Sequence, residues 1–279
     1  MKKLIYRLPT HLFEIFAVEF NGYGFEILNR NKDGTTFVIY AEESEEEAIK
    51  EAVNEIFNEL GAGELVGEEV IPEENWVDKW KEDIKPIKIP PFIVLPEWEI
   101  YEGKDFIPIK IKIGMAFGTG LHPTTQMVLK LLPEYISKGD TVLDVGTGTG
   151  ILSIAAAKLG ASKVIGIDID EMAIKECKDN SWENEVNVEC IKGEPKDIKE
   201  KFDIVIANLE IKIFRNLFKD IVKLFKKYLI LSGIFKPAEK EEILKMAKEN
   251  NLKLITELSQ PESDEKLSDI WFAFVFCRK

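Results

Sequence analysis

Hydrophobic positions in this chain recur with two different periods, and the changes between them divide it into parts. Residues 3–8 (KLIYRL) have the two-residue period of a strand. Residues 10–20 (THLFEIFAVEF) have the helical period, with Thr10 as the predicted N-cap. Two strand-like runs, 24–30 and 35–40, flank the turn Asn31-Lys32-Asp33-Gly34. Residues 44–60 then place Ala48, Ala52, Val53, Ile56, Phe57 and Leu60 on one helical stripe, which Gly61-Ala62-Gly63 ends. The order β-α-β-β-α, closed by a strand at 64–71, predicts a small ferredoxin-like α/β domain over residues 1–71.

Residues 72–104 follow neither period. They carry Trp76, Trp80 and Trp98, three of the five tryptophans, and Pro72, Pro86, Pro90, Pro91 and Pro96, five of the twelve prolines. Trp76 and Trp80 are four apart and share one face of a short helix, after which the prolines hold the chain extended. A connector packed on the larger domain is the reading this composition favours. Aromatic contact with a substrate is the alternative.

From residue 105 the pattern becomes a long alternation. IPIKIKIG (107–114) reads as a hairpin-type strand, and 124–132 as a helix. Strands are predicted at 141–145, 164–167, 187–191, 203–207, 228–232, 252–258 and 270–277, with helices at 151–159, 171–183, 210–226 and 237–249 between the earlier ones. Strands alternating with helices give a parallel sheet covered on both faces. No helical pattern separates the last two strands, so they pair antiparallel. Residues 105–279 are thus predicted as a seven-stranded, Rossmann-like α/β domain with a reversed last strand.

Composition narrows the class. Apolar residues make up 45% of the 279 and charged residues 31%, with no apolar run near the length of a membrane span. The three scattered cysteines, Cys177, Cys190 and Cys277, predict a reducing compartment, here the cytoplasm, and no disulfide framework. The net charge is −13, and residues 41–75 hold thirteen glutamates against the single Lys50. Such a stretch disfavours direct nucleic-acid binding and attracts a basic partner, or is simply a solvated helix face. Two histidines, no G-x-S-x-G and no G-x-x-x-x-G-K leave metal, serine-hydrolase and P-loop chemistry without support.

The chemistry concentrates between residues 141 and 170. An apolar strand turns through Gly146, Gly148 and Gly150 into a helix, and the next strand ends on Asp168. This βαβ unit suits the adenosine half of a cofactor, with the acid placed to accept both ribose hydroxyls. A nicotinamide reader needs G-x-G-x-x-G; here position 151 is Ile, and the run is G-x-G-x-G. S-adenosylmethionine has no phosphate and needs only a close turn. Asp170 reads as the N-cap of the helix at 171. Asn208 follows the fourth strand, at the edge where such sheets bind ligands. There its carbonyl could aim an incoming amine, or the residue could serve as a turn or cap.

VLDVGTGTG with Asp144 resembles motif I of the class I S-adenosylmethionine-dependent methyltransferases. AFGTGLHPTTQ (116–126), VIANL (205–209), NWVDKW, KPIKIPPFIVLPEW and LSGIF (231–235) together resemble the PrmA-type methyltransferases of large-subunit ribosomal protein eleven. The resemblance runs from residue 75 to the C-terminus and rests on size and element order before that. It implies S-adenosyl-L-methionine contacts at Thr125, Gly146, Asp168 and Asn208, with Gly148 in the turn. It also implies a loop of Phe117, Gly118, Thr119 and Gly120 that closes over the cofactor. Leu209-Glu210 departs from the Ile-Leu common in the family. Alternatives from the residues themselves are a helix-start cap at Thr125, a tight turn at Gly118 and Gly120, and either a base or a helix-entry residue at His122.

The expected activity is methylation of protein amines, lysine side chains or an N-terminal α-amine, of a large-subunit ribosomal protein. Asn208 is the catalytic candidate, no metal is involved and the enzyme is a monomer. A methyltransferase for another protein amine or a small molecule, and a nicotinamide-binding oxidoreductase, are the competing readings.

Overall fold

The computed structural model describes residues 2–20, 24–32, 34–42, 45–70, 85–112, 122–262 and 268–279. The helix expected at Trp76 and Trp80 and the loop Phe117–Gly120 lie outside them. The chain forms two compact units, residues 1–84 and 85–279.

The first unit comprises β1 (Lys2–Leu8), α1 (Thr10–Glu19), β2 (Phe25–Arg30), β3 (Thr35–Ala41), α2 (Glu46–Leu60) and β4 (Glu64–Val70). Its sheet runs β2-β3-β1-β4 with all neighbours antiparallel. Alternation in β1 and β3 turns Leu4, Tyr6, Leu8, Phe37 and Ile39 to one face, against Phe13 and Phe16 of α1 and Ile49, Val53 and Phe57 of α2. The stripe on α2 differs from expectation at its start: Ile49 is fully buried and Ala48 is exposed. The larger side chain wins the core-facing position because it removes more apolar surface from water. Thr10 does not cap α1; its hydroxyl donates to the Asn31 carbonyl at 2.6 Å, tying the helix start to the β2–β3 turn. Glu47, Glu51, Glu55 and Glu59 are exposed on α2.

In the second unit, β5 (Ile87–Ile89), β6 (Phe92–Pro96) and β7 (Ile107–Ile111) form a three-stranded sheet. Strand β7 was expected in a hairpin but pairs parallel with β6, whose exposed backbone edge the intervening loop carries it back to. Then follow α3 (Pro123–Tyr135), β8 (Thr141–Val145), α4 (Ile151–Lys158), β9 (Lys163–Asp168), α5 (Glu171–Glu183), β10 (Glu189–Lys192), β11 (Phe202–Asn208), α6 (Ile211–Leu224), β12 (Phe225–Phe235), α7 (Lys236–Glu249), β13 (Leu252–Pro261) and β14 (Ile270–Arg278). Strand β12 begins three residues earlier than its apolar run announced, directly where α6 ends.

The seven-stranded sheet has the order β10-β9-β8-β11-β12-β14-β13. All neighbours are parallel except β14, which runs antiparallel to both β12 and β13. Side chains alternate between its faces. Val142, Val164, Ile204 and Ile206 join α3 and α4 on one side, while Leu143, Ile165, Val205 and Ala207 join α6 on the other. From β8 the chain winds outward to β9 and β10, then returns to place β11 on the other flank of β8. The crevice beyond the carboxyl ends of β8 and β11 is where a sheet of this kind receives a ligand.

The expectation that the cysteines stay unpaired is corrected here. Cys177 and Cys190 form a disulfide, with Cα atoms 6.2 Å apart. Cys177 lies on the buried face of α5 with Ala173 and Ile174, and β10 carries Cys190 beneath it. Thirteen residues separate them, but the return from α5 to the sheet edge brings them together. Cysteine usage therefore no longer argues for a reducing compartment. Among the described residues, no helix is long and apolar enough to cross a membrane.

Candidate functional site

A cavity of about 470 Å³ opens over the crevice, a size suited to a nucleoside-type ligand. Its floor is the turn after β8. The Gly146 and Thr147 amides both donate to the Ile167 carbonyl, at 2.8 and 3.0 Å, tying the turn to β9. Gly146, Gly148 and Gly150 have φ of 73°, 53° and 83°. The approach is close as well as left-handed: a Cβ on Gly146 would lie 2.4 Å from the Leu209 side chain. Only glycine meets both conditions.

Asp168, at the end of β9, faces the cavity and is held by backbone. The Gly148 amide donates to Oδ2 at 3.1 Å and the Asp170 amide to Oδ1 at 3.0 Å. Each carboxylate oxygen keeps a further lone pair for a ligand. Asp170 accepts from the Met172 amide at 2.9 Å and caps α5, as its position predicted.

Beneath the turn, Asp144 is fully buried. The hydroxyls of Thr147 and Ser153 both donate to its Oδ2 at 2.8 Å, while Oδ1 has no partner among the described residues. Burial pushes its carboxyl up to about 6, against the opposing pull of those two hydroxyls and with help from the charge of Asp168. Gly166 on β9 makes room for this cluster: a Cβ there would come within 2.7 Å of the Thr147 hydroxyl.

Across the crevice, Asn208 ends β11 opposite Ser232 of β12. Its amide nitrogen donates to the Thr125 hydroxyl at 3.4 Å, and its buried Oδ1 has no partner among the described residues. An unpaired buried carbonyl costs roughly 1–3 kcal/mol, so its placement calls for a ligand donor. Gly233, with φ of 84°, lets β12 pass under the Asn208–Leu209 corner; a Cβ there would lie 2.4 Å from the Leu209 carbonyl oxygen. His122 caps α3, accepting from the Thr124 amide at 3.3 Å. Burial lowers its pKa, with Glu262 opposing. Trp271 of β14 packs edge-on against His122 and at a tilt against Phe235, with centroids 4.6 and 4.5 Å apart.

The charged residues lining the cavity among those described are Asp168, Asp170, Glu194 and Glu210, with no lysine or arginine. That lining suits a cationic ligand and disfavours a pyrophosphate.

The family model for ribosomal protein L11 methyltransferase (PrmA) matches residues 20–263. A ribosomal protein L11 methyltransferase of Aquifex aeolicus (strain VF5) is 42% identical over 275 residues, 99% of this chain and 97% of that protein. The chain belongs to the ribosomal protein L11 methyltransferase family. The family's enzyme from Dictyoglomus thermophilum is 41% identical over 221 residues, covering 77% of this chain and 70% of its own. A crystal structure of the ribosomal protein L11 methylase of Lactobacillus delbrueckii subsp. bulgaricus superposes with a TM-score of 0.64 at 29% identity. It covers 70% of this chain and all of that one.

Within this member of the family, Gly146, Gly148, Asp168 and Asn208 all face one cavity. Thr125 is buried behind Asn208 and reaches the site through it. The helix cap that Thr125 might have been is His122 instead. Among the lining residues that escaped the sequence reading are Thr124, Glu194 and Trp271. Trp271 lay hidden in an apolar strand; the signal that could have found it is a large amphipathic ring two residues into a strand otherwise built of Phe, Ala and Val.

Proposed function

We propose that this chain is an S-adenosylmethionine-dependent N-methyltransferase that modifies amines of ribosomal protein L11, on lysine side chains or the N-terminal α-amine. The observation that carries it is the Oδ1 of Asn208, unpaired among the described residues and facing the same cavity as the Gly146 turn and Asp168. A hydrogen-bond acceptor waits for an N–H beside a cradle that fits an adenosyl group. The acidic lining fits a cofactor that carries a sulfonium and an ammonium. When bound, S-adenosylmethionine supplies a methyl group activated by the sulfonium.

The chain's own residues do the positioning. Gly146 and Gly148 bring backbone close enough to cradle the ligand, and Asp168 accepts from the ribose hydroxyls. Asn208 Oδ1 accepts an amine N–H and aims the nitrogen lone pair into the cavity, while Thr125 fixes the orientation of the Asn208 amide. Deprotonating an α-amine at pH 7 costs about 1 kcal/mol, and a lysine about 4.6 kcal/mol. An α-amine therefore needs no dedicated base, whereas a lysine needs an environment that lowers its pKa.

The N-terminal residues 1–71 are read as a ferredoxin-like substrate-recognition domain. Support comes from its strand order, β2-β3-β1-β4 with antiparallel neighbours, and from exposed glutamates on α2 that suit a lysine-rich protein. The connector read at 72–104 leads to the catalytic domain read at 105–279, with β5 and β6 already pairing in the second unit's three-stranded sheet, and Phe117–Gly120 is expected to close over the cofactor. A ribosomal substrate carries the expectation of a monomeric, cytoplasmic enzyme. The test is incubation with methyl-labelled cofactor and total ribosomal proteins, read by intact mass. Label on L11, lost in Asn208→Ala, is expected; label on other proteins with none on L11 sinks the assignment.

A further inference from the structure

Five buried side-chain polar atoms lack a partner among the described residues: Tyr6 Oη, Asp144 Oδ1, Glu176 Oε2, Asn208 Oδ1 and Trp271 Nε1. Two of them belong to residues lining the same cavity, and they are complementary. Asn208 Oδ1 can only accept a hydrogen bond, and Trp271 Nε1 can only donate one. The acceptor has a role in the proposed reaction; the donor does not.

Trp271 is held firmly. It stands opposite Phe235 on β12 and Gln260 on β13, so strands on both sides fix its backbone. Its ring packs at a tilt against Phe235 and is met edge-on by His122. Phe235 already holds one ammonium: Lys236 Nζ lies 4.6 Å from its centroid. We propose that Trp271 is the acceptor wall of the site, a specificity-determining residue whose indole face receives the amine-bearing stem of a polypeptide opposite Asn208. The assignment rests on the amine methyltransferase reading and names the residue that selects the amine.

The chemistry runs in its favour. During transfer the amine nitrogen forms a bond to the methyl carbon as the carbon–sulfur bond breaks. The bond's electron pair stays on sulfur, and positive charge passes to nitrogen until a proton leaves to water. Before transfer the amine must be neutral, its proton already given up to water, so the bound substrate carries no charge for the ring to hold. During transfer charge builds on nitrogen, where an indole face attracts it. The wall thus favours the transition state over the bound substrate, which is the difference that raises kcat. The carboxylates of Asp168 and Glu210 in the same lining add to that preference. The indole N–H points to the chemical class of the acceptor. A free alkylamine would leave it unpaired, while a polypeptide brings main-chain carbonyl oxygens to accept it.

The test uses Trp271→Ala and Trp271→Phe in the full chain, with L11 protein and n-butylamine as acceptors. Binding of S-adenosylhomocysteine is measured by calorimetry and folding by thermal melting. Trp271→Ala is expected to lower kcat for the protein on the order of tenfold while leaving S-adenosylhomocysteine binding within about twofold. Trp271→Phe keeps a ring but no donor, so kcat should recover while KM for the protein stays raised. Activity on n-butylamine should fall in Trp271→Ala and not differ between Trp271→Phe and wild type. Unchanged kinetics of Trp271→Ala on a protein that the wild type methylates would overturn the role of Trp271 alone. So would equal loss of activity and cofactor binding in both variants. A wild-type enzyme that labels no amine overturns the function and this role together.

Discussion

Gly233 lines the cavity without a side chain of its own, and a perturbation there should reach the chemistry. Replacing it with alanine forces a side chain into φ of 84°, a left-handed conformation that costs an L-residue about 1–2 kcal/mol. The new Cβ would also stand 2.4 Å from the Leu209 carbonyl oxygen, where ordinary contact begins at 3.4 Å. The obstacle is backbone, so it cannot be rotated away. Either β12 or the Asn208–Leu209 corner must move by about 1 Å, and a misplacement of that size at a reacting group can cost about 100-fold. The corner is the weaker of the two, because β12 is clamped between β11 and β14. Purified Gly233→Ala should therefore show a kcat near a hundredth of wild type. Binding of S-adenosylhomocysteine should fall much less, since Gly146, Gly148 and Asp168 sit on the opposite bank. Urea denaturation should show the stability loss separately. A variant that loses stability but keeps kcat within about threefold would refute the claim that Gly233 sets the position of Asn208.

Three further outcomes follow from the same geometry. Asp168→Asn should weaken S-adenosylhomocysteine binding about tenfold to 100-fold by calorimetry, the worth of a charge-assisted hydrogen bond; unchanged affinity would remove Asp168 from the cofactor site. The Asp144 carboxyl titrates at about 6 when folded against 3.8 otherwise, so its penalty on stability is absent below pH 4, grows as pH rises and is complete above 6. Urea midpoints of wild type and Asp144→Asn should accordingly shift in the variant's favour between pH 4 and 7, by about 3 kcal/mol, and a pH-independent difference would show the carboxyl to be unperturbed. Cys177→Ser should lower stability by about 2–4 kcal/mol in non-reducing denaturation, a gap that reductant closes by weakening the wild type; no gap would mean the bridge is not formed in solution.

The parts of the site legible in the sequence are those whose constraint is local. Gly146, Gly148 and Asp168 sit within one βαβ unit, and the short-range demands of a left-handed turn and a strand-end acid write themselves into residue type. Asn208 was readable because a strand end in an alternating α/β chain has a predictable side. What escaped depends on distant partners. Cys177 and Cys190 meet only after α5 folds back on β10, and β7 chooses a parallel partner across a loop. Trp271 enters the cavity only because β14 runs back beside β12. Ile49 displaces Ala48 from the α2 stripe through a rotation of the helix that periodicity leaves undetermined.

The packing under the glycine turn bears on how this enzyme could be redesigned. Gly166 leaves room for the Thr147 hydroxyl and nothing more, and Asp144, Thr149 and Ser153 beneath are entirely shielded from solvent. A laboratory enzyme made to carry a bulkier alkyl group than methyl cannot gain volume from that floor, where any enlargement collides with a buried hydrogen-bond cluster. The opposite bank is different: Leu209, Ile213 and Leu217 line the cavity with side chains that are only half-buried. Libraries for alkyl-transfer variants of this scaffold belong at those three positions.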